Sequence, residues 1–452
     1  MKCLKIKSKW LEESDLRLDA EFHLSDGPLT KLKFKKSPFP ISTLSLETTE
    51  IFKGNIFRRT YVKSAEKGYQ FMTASDMMKP DILGEKYVSK KHTKTANLFL
   101  KEGWVLVSRS GTLGNTVYTN KEFEGVLGTD DLIRIIPDEK KMPGGFLFAY
   151  LSSKYGYGLL TQSGYGGVIQ HIEPHHLNDL PVPVFPIENQ MKISKLIEEA
   201  AELRVEANNN LKKAKKLFEK YDQLKGDTIF KIKRNELKDS WLGRNNKPEI
   251  IAYDKLVEKD GFEFLDFFSE NIFAPNMFKH IYIEKDNGYR FFNGAEISKS
   301  RRSTNRFLSK RGVVDIKNYV VDKDWLLIYR HGPRNGMLGD VFIVDEYLSG
   351  SCLSDLVIRV CPKTKEYSHW LYTFFKTKIG REILHNIASG SAILFLSPQR
   401  LSKIKVPYEN NELDIKTNFK LISKHIESLE LANNKENEAI QMIEKEIESW
   451  QK

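Results

Sequence analysis

The chain has 452 residues, 40% of them hydrophobic and 29% charged, with a formal net charge of +11 and a pI near 9.1. No apolar run approaches the ~20 residues that span a bilayer, and MKCLKIKSKW carries charge without an apolar stretch behind it, so neither a membrane helix nor a secretory signal is expected. Cys3, Cys352 and Cys361 form no CxxC pair and read as reduced thiols of a cytoplasmic protein, not as a disulfide or zinc framework.

Positive charge is clustered from the start. Lys31, Lys33, Lys35 and Lys36 form one group, Lys53, Arg58, Arg59 and Lys63 a second, and Lys86, Lys90, Lys91 and Lys94 a third. For any one cluster alone a solvated face is the preferred reading; together with the net charge the clusters favour an anionic polymer, nucleic acid, as partner. Short β-rich runs follow, GWVLVS, NTVYT and DLIRIIP, bounded by Gly, Asn and Asp. Arg109, Ser110, Thr112 and Asn115 lie in a turn after the first run, where arginine, hydroxyl and amide groups suit phosphates and base edges, or simply hold the turn. Phe146 to Leu160 reads as helix, followed by a glycine-containing loop, SGYGG, and a short extended segment ending in VPV.

A heptad series comes next. From Ile193, apolar or small residues recur at Leu196, Ala200, Leu203, Ala207, Ala214, Leu217, Tyr221 and Leu224, with Asn210 interrupting. Alternating steps of three and four predict a coiled coil, and a polar mid-seam residue is a device for fixing register and partner. The alternative is an amphipathic helix packed on its own domain. A polar linker, Lys225 to Asp260, follows.

The chain then repeats itself. GWVLVSRSG (103–111) returns as DWLLIYRHG (324–332), displaced by 221 residues; GVLGTDDLIRIIP returns as GSCLSDLVIRVCP, displaced by 225; and FLFAYLSSKYGYGLL returns as WLYTFFKTKIGREIL, displaced by 224. SRRSTNRFLSKR supplies Arg301, Arg302, Asn305 and Arg306, and the turn matching Arg109 holds Arg330, His331, Arg334 and Asn335. RLDAEFH (17–23) has only a faint counterpart, near FAPNMFKH (273–280). A second heptad series runs Ile415, Phe419, Ile422, Ile426, Leu429, Ile440, Ile443, Ile447 and Trp450, interrupted at Asn433 and Glu436. The fold class expected is α+β: two similar domains, each followed by a long helix, the helices forming an antiparallel coiled coil. Helices of about 38 to 40 residues make a rod of roughly 57–60 Å, and half-sites one duplex turn apart are separated by about 34 Å.

Catalytic signals are missing. There is no GxxxxGK[ST] phosphate loop, no NPPY- or DPPY-like motif and no GxGxxG loop. Glu139-Lys140-Lys141 imitates the end of a nuclease motif, without an acidic partner and without a second copy. His171, Glu173, His175 and His176 resemble a metal cluster, but Phe395, Ser397, Gln399 and Arg400 replace them in the second copy, so a surface histidine group is the preferred reading. Asp130 matches Asp355, each opening a run that ends in Arg134 or Arg359, and a structural turn or ion pair is expected there.

Module–helix–module–helix, with SRSGTLG in the first module and SGYGGVIQHIEPHHLNDLPVPVFPIENQMKI closing it, resembles the DNA-specificity (S) subunit of Type I restriction–modification enzymes. The closing segment carries the likeness through Gly166, Gln170, Leu177, Pro181, Pro183, Glu188 and Gln190; the second closing segment, VPYENNELDIK, lacks the second proline group and a match to Gln190. The resemblance implies a non-catalytic subunit with a target-recognition domain over 1–186, a spacer helix over 187–225, a linker over 226–260, a second target-recognition domain over 261–410 and a second spacer helix over 411–452. It would read a bipartite duplex target and dock two modification (methyltransferase) subunits. Those subunits would hold S-adenosylmethionine, and motor–nuclease restriction subunits would hold ATP and Mg²⁺. The candidate DNA contacts are Lys53, Arg58, Arg59, Arg109, Ser110, Thr112, Asn115, Tyr165 and Gln170, with Arg301, Arg302, Asn305, Arg306, Arg330, His331, Arg334 and Asn335; no catalytic or metal residue is assigned. The competing readings are a stand-alone DNA-cleaving enzyme with a duplicated binding region and a non-DNA scaffold assembled through the coiled coil.

Overall fold

The computed structural model describes residues 26–81, 86–93, 97–111, 113–162, 171–224, 226, 230–234, 243–334, 336–408 and 412–450, with Ser8 and His23. It divides into two units, Met1–Val205 with Leu431–Lys452, and Glu206–Glu430.

In the first unit α1 (Asp26–Phe34) leads into β1 (Ile41–Thr43), β2 (Thr48–Lys53), β3 (Tyr61–Val62), β4 (Gly68–Met72), β5 (Tyr87–Ser89), β6 (Val105–Ser108), β7 (Thr116–Tyr118), β8 (Leu127–Gly128) and β9 (Leu132–Pro137). One antiparallel sheet has the order β2-β9-β6-β7; a second has the order β3-β5-β4-β8, its last pair parallel. The apolar runs that became β6 and β9 are covered on both faces, as continuous rather than alternating hydrophobicity requires. Val105, Val107, Ile133 and Ile135 pack with α2 (Gly144–Ser152) and α3 (Lys154–Gln162), while Leu106 and Leu132 pack with Met72, Leu100 and Phe123. α4 (Pro174–Asn178) and β10 (Pro181–Pro183), which pairs with β1, then lead to α5 (Ile187–Lys215).

The second unit repeats this plan. After α6 (Glu219–Asp222) come α7 (Pro248–Asp260), β11 (Phe262–Phe264), β12 (Ser269–Phe273), β13 (Tyr282–Ile283), β14 (Gly288–Phe292), α8 (Gly294–Ile297) and β15 (Phe307–Ser309). β16 (Leu326–Tyr329), β17 (His331–Gly332), β18 (Val341–Ile343), β19 (Cys352–Leu353) and β20 (Val357–Pro362) follow, then α9 (Lys365–Lys376), α10 (Lys378–Ile387), β21 (Ser389–Gly390), β22 (Leu394–Phe395), α11 (Pro398–Leu401), β23 (Lys405–Pro407) and α12 (Glu412–Ser449). The sheets β12-β20-β16-β18, β13-β15-β14-β19 and β11-β23 reproduce those of the first unit strand for strand. The end of the segment expected to be linker is structured: α7 buries Ile250, Tyr253 and Val257, and the Tyr253 hydroxyl donates to the Lys405 carbonyl at 2.6 Å.

Strand register corrects one sequence alignment. Thr48 stands opposite Pro137 and Ser269 opposite Pro362, each followed by the same irregularity. FAPNMFKH therefore matches residues 52–59 and not RLDAEFH, whose residues 17–22 lie outside those described. The expected helix Phe146–Leu160 is also two helices. Ser153 is extended, and its Oγ accepts from Gly156 N at 3.2 Å; Thr377 does the same for Gly380 N at 3.0 Å. A Cβ on either glycine would stand 2.1 Å from the Tyr150 or Phe374 carbonyl oxygen, so the duplicated break needs a duplicated glycine.

The long helices are antiparallel. Along the first, the buried series is Ile193, Ile197, Ala200, Arg204, Ala207, Leu211, Ala214, Phe218 and Tyr221, in steps of four and three. Every second expected seam position is right; Leu196, Leu203, Leu217 and Leu224 flank the seam by one residue. In the first unit Ile193 and Ile197 share a core with Ile440, Ile443 and Ile447, and Arg204 reaches Glu436 Oε2 at 2.9 Å and Asn433 Oδ1 at 3.2 Å. In the second unit Leu211, Ala214 and Phe218 share a core with Ile422, and His425 Nδ1 donates to the Ala207 carbonyl at 2.8 Å.

Candidate nucleic-acid interface

Each module builds the half-buried turn before β9 or β20 on a buried arginine. Arg134 is 0% exposed and donates to the carbonyls of Leu132 at 2.7 Å and Gly128 at 3.0 Å; Arg359 is 0% exposed and donates to those of Ser354 at 3.0 Å and Leu353 at 2.9 Å. Burial pushes both guanidinium groups down to about 10, still charged at neutral pH. By gathering those carbonyls each arginine shapes the turn that enters β9 or β20. The aspartate on that turn in the first module, Asp130, pairs with Arg59 at 2.9 Å rather than with the buried arginine beneath it.

The turn after β6 is clamped from two sides. Arg109 N donates to the Asp131 carbonyl at 3.0 Å, and Ile172 N donates to the Arg109 carbonyl at 3.1 Å. The second module repeats both bonds at 2.9 Å, Arg330 N to Leu356 O and Leu396 N to Arg330 O. Ser110 bridges to His171 as His331 pairs with Phe395. Backbone equivalence between Arg109 and Arg330 is thus complete.

Their side chains differ. Arg109 Nε donates to Glu173 Oε1 at 3.0 Å and Nη1 to Asp131 Oδ1 at 3.2 Å, while Ser110 Oγ donates to Asp131 at 3.0 Å and Lys53 Nζ reaches Glu173 Oε2 at 2.7 Å. Burial opposes ionisation of Glu173, but the hydrogen bonds from Arg109 and Lys53 outweigh it and hold its carboxyl down to about 2. The structure thus brings Lys53, Arg59, Arg109 and Ser110 together on a frame of Asp130, Asp131 and Glu173, with Arg58 exposed beside them. In the second module Arg330 Nε lies 2.9 Å from His331 Nε2. Burial, then the Arg330 charge, lowers the His331 pKa, which keeps that imidazole neutral.

The remaining candidates are dispersed. Arg334 pairs with Glu382 on α10 at 2.5 Å, and Arg306 pairs with Glu296 at 2.5 Å. Arg302 is 8% exposed and bound to Asp345 and to the Ile297 carbonyl, so its charge is used within the fold. Asn305 is exposed; Arg301 and Asn115 are half-buried. Thr112, Tyr165, Gln170 and Asn335 lie outside the described residues, as do SGYGG and Lys94. Glu173 also caps α4, its backbone N–H donating to His176 Nδ1 at 3.1 Å, so the histidine group contributes to a helix start. Among the described residues no group of three or more His, Cys, Asp or Glu is placed to hold a metal ion, and no helix is long and apolar enough to cross a membrane.

Residues 47–217 and 270–442 match the Type I restriction modification DNA specificity domain. The chain belongs to this family. It is the non-catalytic specificity component of a Type I restriction–modification complex and recognises DNA targets. The matched segments contain both clamped turns, all of α5, and α12 as far as residue 442. Among solved structures, the chain is similar to the Type I restriction–modification S subunit from M. genitalium (14% identity, covering 92% of this chain and 96% of that one, TM-score 0.36). It is also similar to the HsdS subunit from Thermoanaerobacter tengcongensis (14%, 91% and 96%, TM-score 0.28). A third is a chain from a structure of type I R-M system assembly and conformational transition (12%, 92% and 98%, TM-score 0.29). No curated protein matches the chain.

Proposed function

We propose that the two modules each read one half of a bipartite duplex target, with Arg109 and Arg330 as the matching readers. The observation that carries this is the duplicated clamp, which fixes the same backbone position in both units while the side chains around it differ. Equal backbones with unequal side chains are what two heads reading different sequences require. Lys53, Arg58 and Arg59 flank the first turn, and Arg301, Asn305, Arg306 and Arg334 supply charge and amide groups in the second module. Thr112, Tyr165, Gln170 and Asn335 are assigned to the same surfaces on sequence alone.

In this reading the target-recognition domains occupy 1–186 and 261–410, and the helices of 187–225 and 411–452 space the heads and dock two modification subunits. Those subunits hold S-adenosylmethionine, and motor–nuclease subunits hold ATP and Mg²⁺. The assembly works in the cytoplasm, where its DNA is. The test is methylation mapping in cells carrying the chain and its modification subunit, as wild type, Arg109→Ala and Arg330→Ala. Each variant should relax a different half of the motif; loss of the same base pairs by both variants would reject the assignment.

A further inference from the structure

After β2 and after β12 the chain enters loops reading GNIFRR (54–59) and PNMFKH (275–280). Both show one burial pattern, position by position: buried, exposed, exposed, half-buried, exposed, exposed. The third position is a large apolar side chain standing in water. Ile56 is 85% and Met277 87% exposed, the two highest values for a large apolar residue among those described.

These tips are anchored. The next residue packs inward: Phe57 lies edge-on to Phe71 with ring centroids 5.9 Å apart, and Phe278 edge-on to Phe291 at 6.3 Å. In the second loop the Tyr319 hydroxyl also donates to the Asn276 carbonyl at 3.1 Å. Buried Gly54 or Pro275 on one side and the phenylalanine on the other hold the apolar residue outward. Exposed Asn55, Arg58 and Arg59 surround Ile56, and exposed Asn276, Lys279 and His280 surround Met277. The first loop also shares the face of the clamped turn, since Arg59 holds Asp130 at 2.9 Å and the adjoining Asp131 holds Arg109 at 3.2 Å.

We propose that Ile56 and Met277 contact the bases of the DNA, each as an apolar probe against a thymine methyl group or a base face, while the flanking cations hold phosphates. An apolar side chain kept in water contributes nothing to folding, and its burial free energy is available only on a partner. The charge around it selects a polyanion, and apolar side chains read duplex through the thymine methyl or by wedging at a base step. The assignment of one tip to each half rests on the half-site reading above.

The experiment uses the specificity chain assembled with its modification subunit, and the duplex identified by mapping wild-type methylation. Ile56→Ala and Met277→Ala should each lower affinity for that duplex by about tenfold, the order of one lost base contact. Affinity for unrelated duplex and the slope of log K against log salt should not change, because no phosphate contact is lost. Ile56→Lys should bind unrelated duplex more tightly without recovering the target. Unchanged target affinity in both alanine variants would overturn the proposal, as would equal losses on every duplex. Failure to assemble with the modification subunit would overturn it too, by making the tips protein contacts. If both variants weaken target binding but relax the same base pairs, the base contact stands and the assignment of one module to each half falls.

Discussion

Arg109 and His369 show how differently residues of one duplicated fold can be used. Arg109 is held by two carboxylates, and its planar fork, not its charge alone, fits Glu173 and Asp131. Arg109→Lys keeps the charge and loses the fork. If the arginine reads guanine, the lysine variant should lose about 1–3 kcal/mol of discrimination at one base pair while keeping most affinity for unrelated duplex, as a filter-binding comparison would show. Arg109 was legible in the sequence because Arg330 repeats it. Glu173 was legible only as a member of the histidine group, because Ser397 replaces it and 64 residues separate it from Arg109. His369 is 0% exposed, stacked on Phe419 with centroids 5.0 Å apart, and burial pushes its imidazole from 6.5 down to about 4. The folded value lies below the unfolded one, so the stabilisation is complete above about pH 6.5 and is lost as pH falls toward 4. That difference amounts to about 3 kcal/mol across the window. His369→Phe should reduce the fall in urea midpoint between pH 7 and pH 5; His385, also lowered by burial, leaves part of it in place. A variant with the full wild-type fall would remove His369 from this role.

At the scale of elements, the helical seam is the feature that sequence periodicity came nearest to and still missed by one residue at alternate positions. Counting apolar residues favoured Leu203 over Arg204 and passed over His425, because a polar side chain gives no periodic signal until its partner is known. The fold supplies those partners. Arg204 meets Glu436 and Asn433 in a pocket where the arginine is 9% and the glutamate 7% exposed. Arg204→Ala leaves a buried carboxylate without its cation and should cost about 3–5 kcal/mol, whereas replacing Arg204 and Glu436 together by leucine should cost far less or stabilise. Denaturation midpoints of the single and double variants decide this, and equal losses in both would show that the pair is not coupled. The α2–α3 break was hidden for a similar reason: Ser153 and Thr377 continue a helical pattern, and the close backbone approach that makes glycine necessary at 156 and 380 exists only once the chain has turned.

The whole molecule is where the sequence was most legible, because a near-constant displacement over about a hundred residues reports duplication without any knowledge of contacts. The strand-for-strand match of three sheets in each unit follows from it. Net charge is also a whole-chain property: at +11, and with about eight phosphates neutralised, affinity for duplex should fall by about 10³–10⁵ between 50 and 200 mM salt. A nearly flat salt titration of the assembled complex would contradict that electrostatic account.

If the long helices space the two heads, their length sets the gap between the two halves of the target. Deleting or inserting one heptad in both long helices changes their length by about 10 Å, or about three base pairs of duplex, at ~1.5 Å per residue and ~3.4 Å per base pair. The decisive measurement is methylation mapping in cells that carry the paired-heptad variant with its modification subunit, beside the wild type. The variant should give a bipartite motif whose two halves are unchanged and whose gap is altered. An uninterrupted motif in the wild type, or an active variant that keeps the original gap, would contradict it.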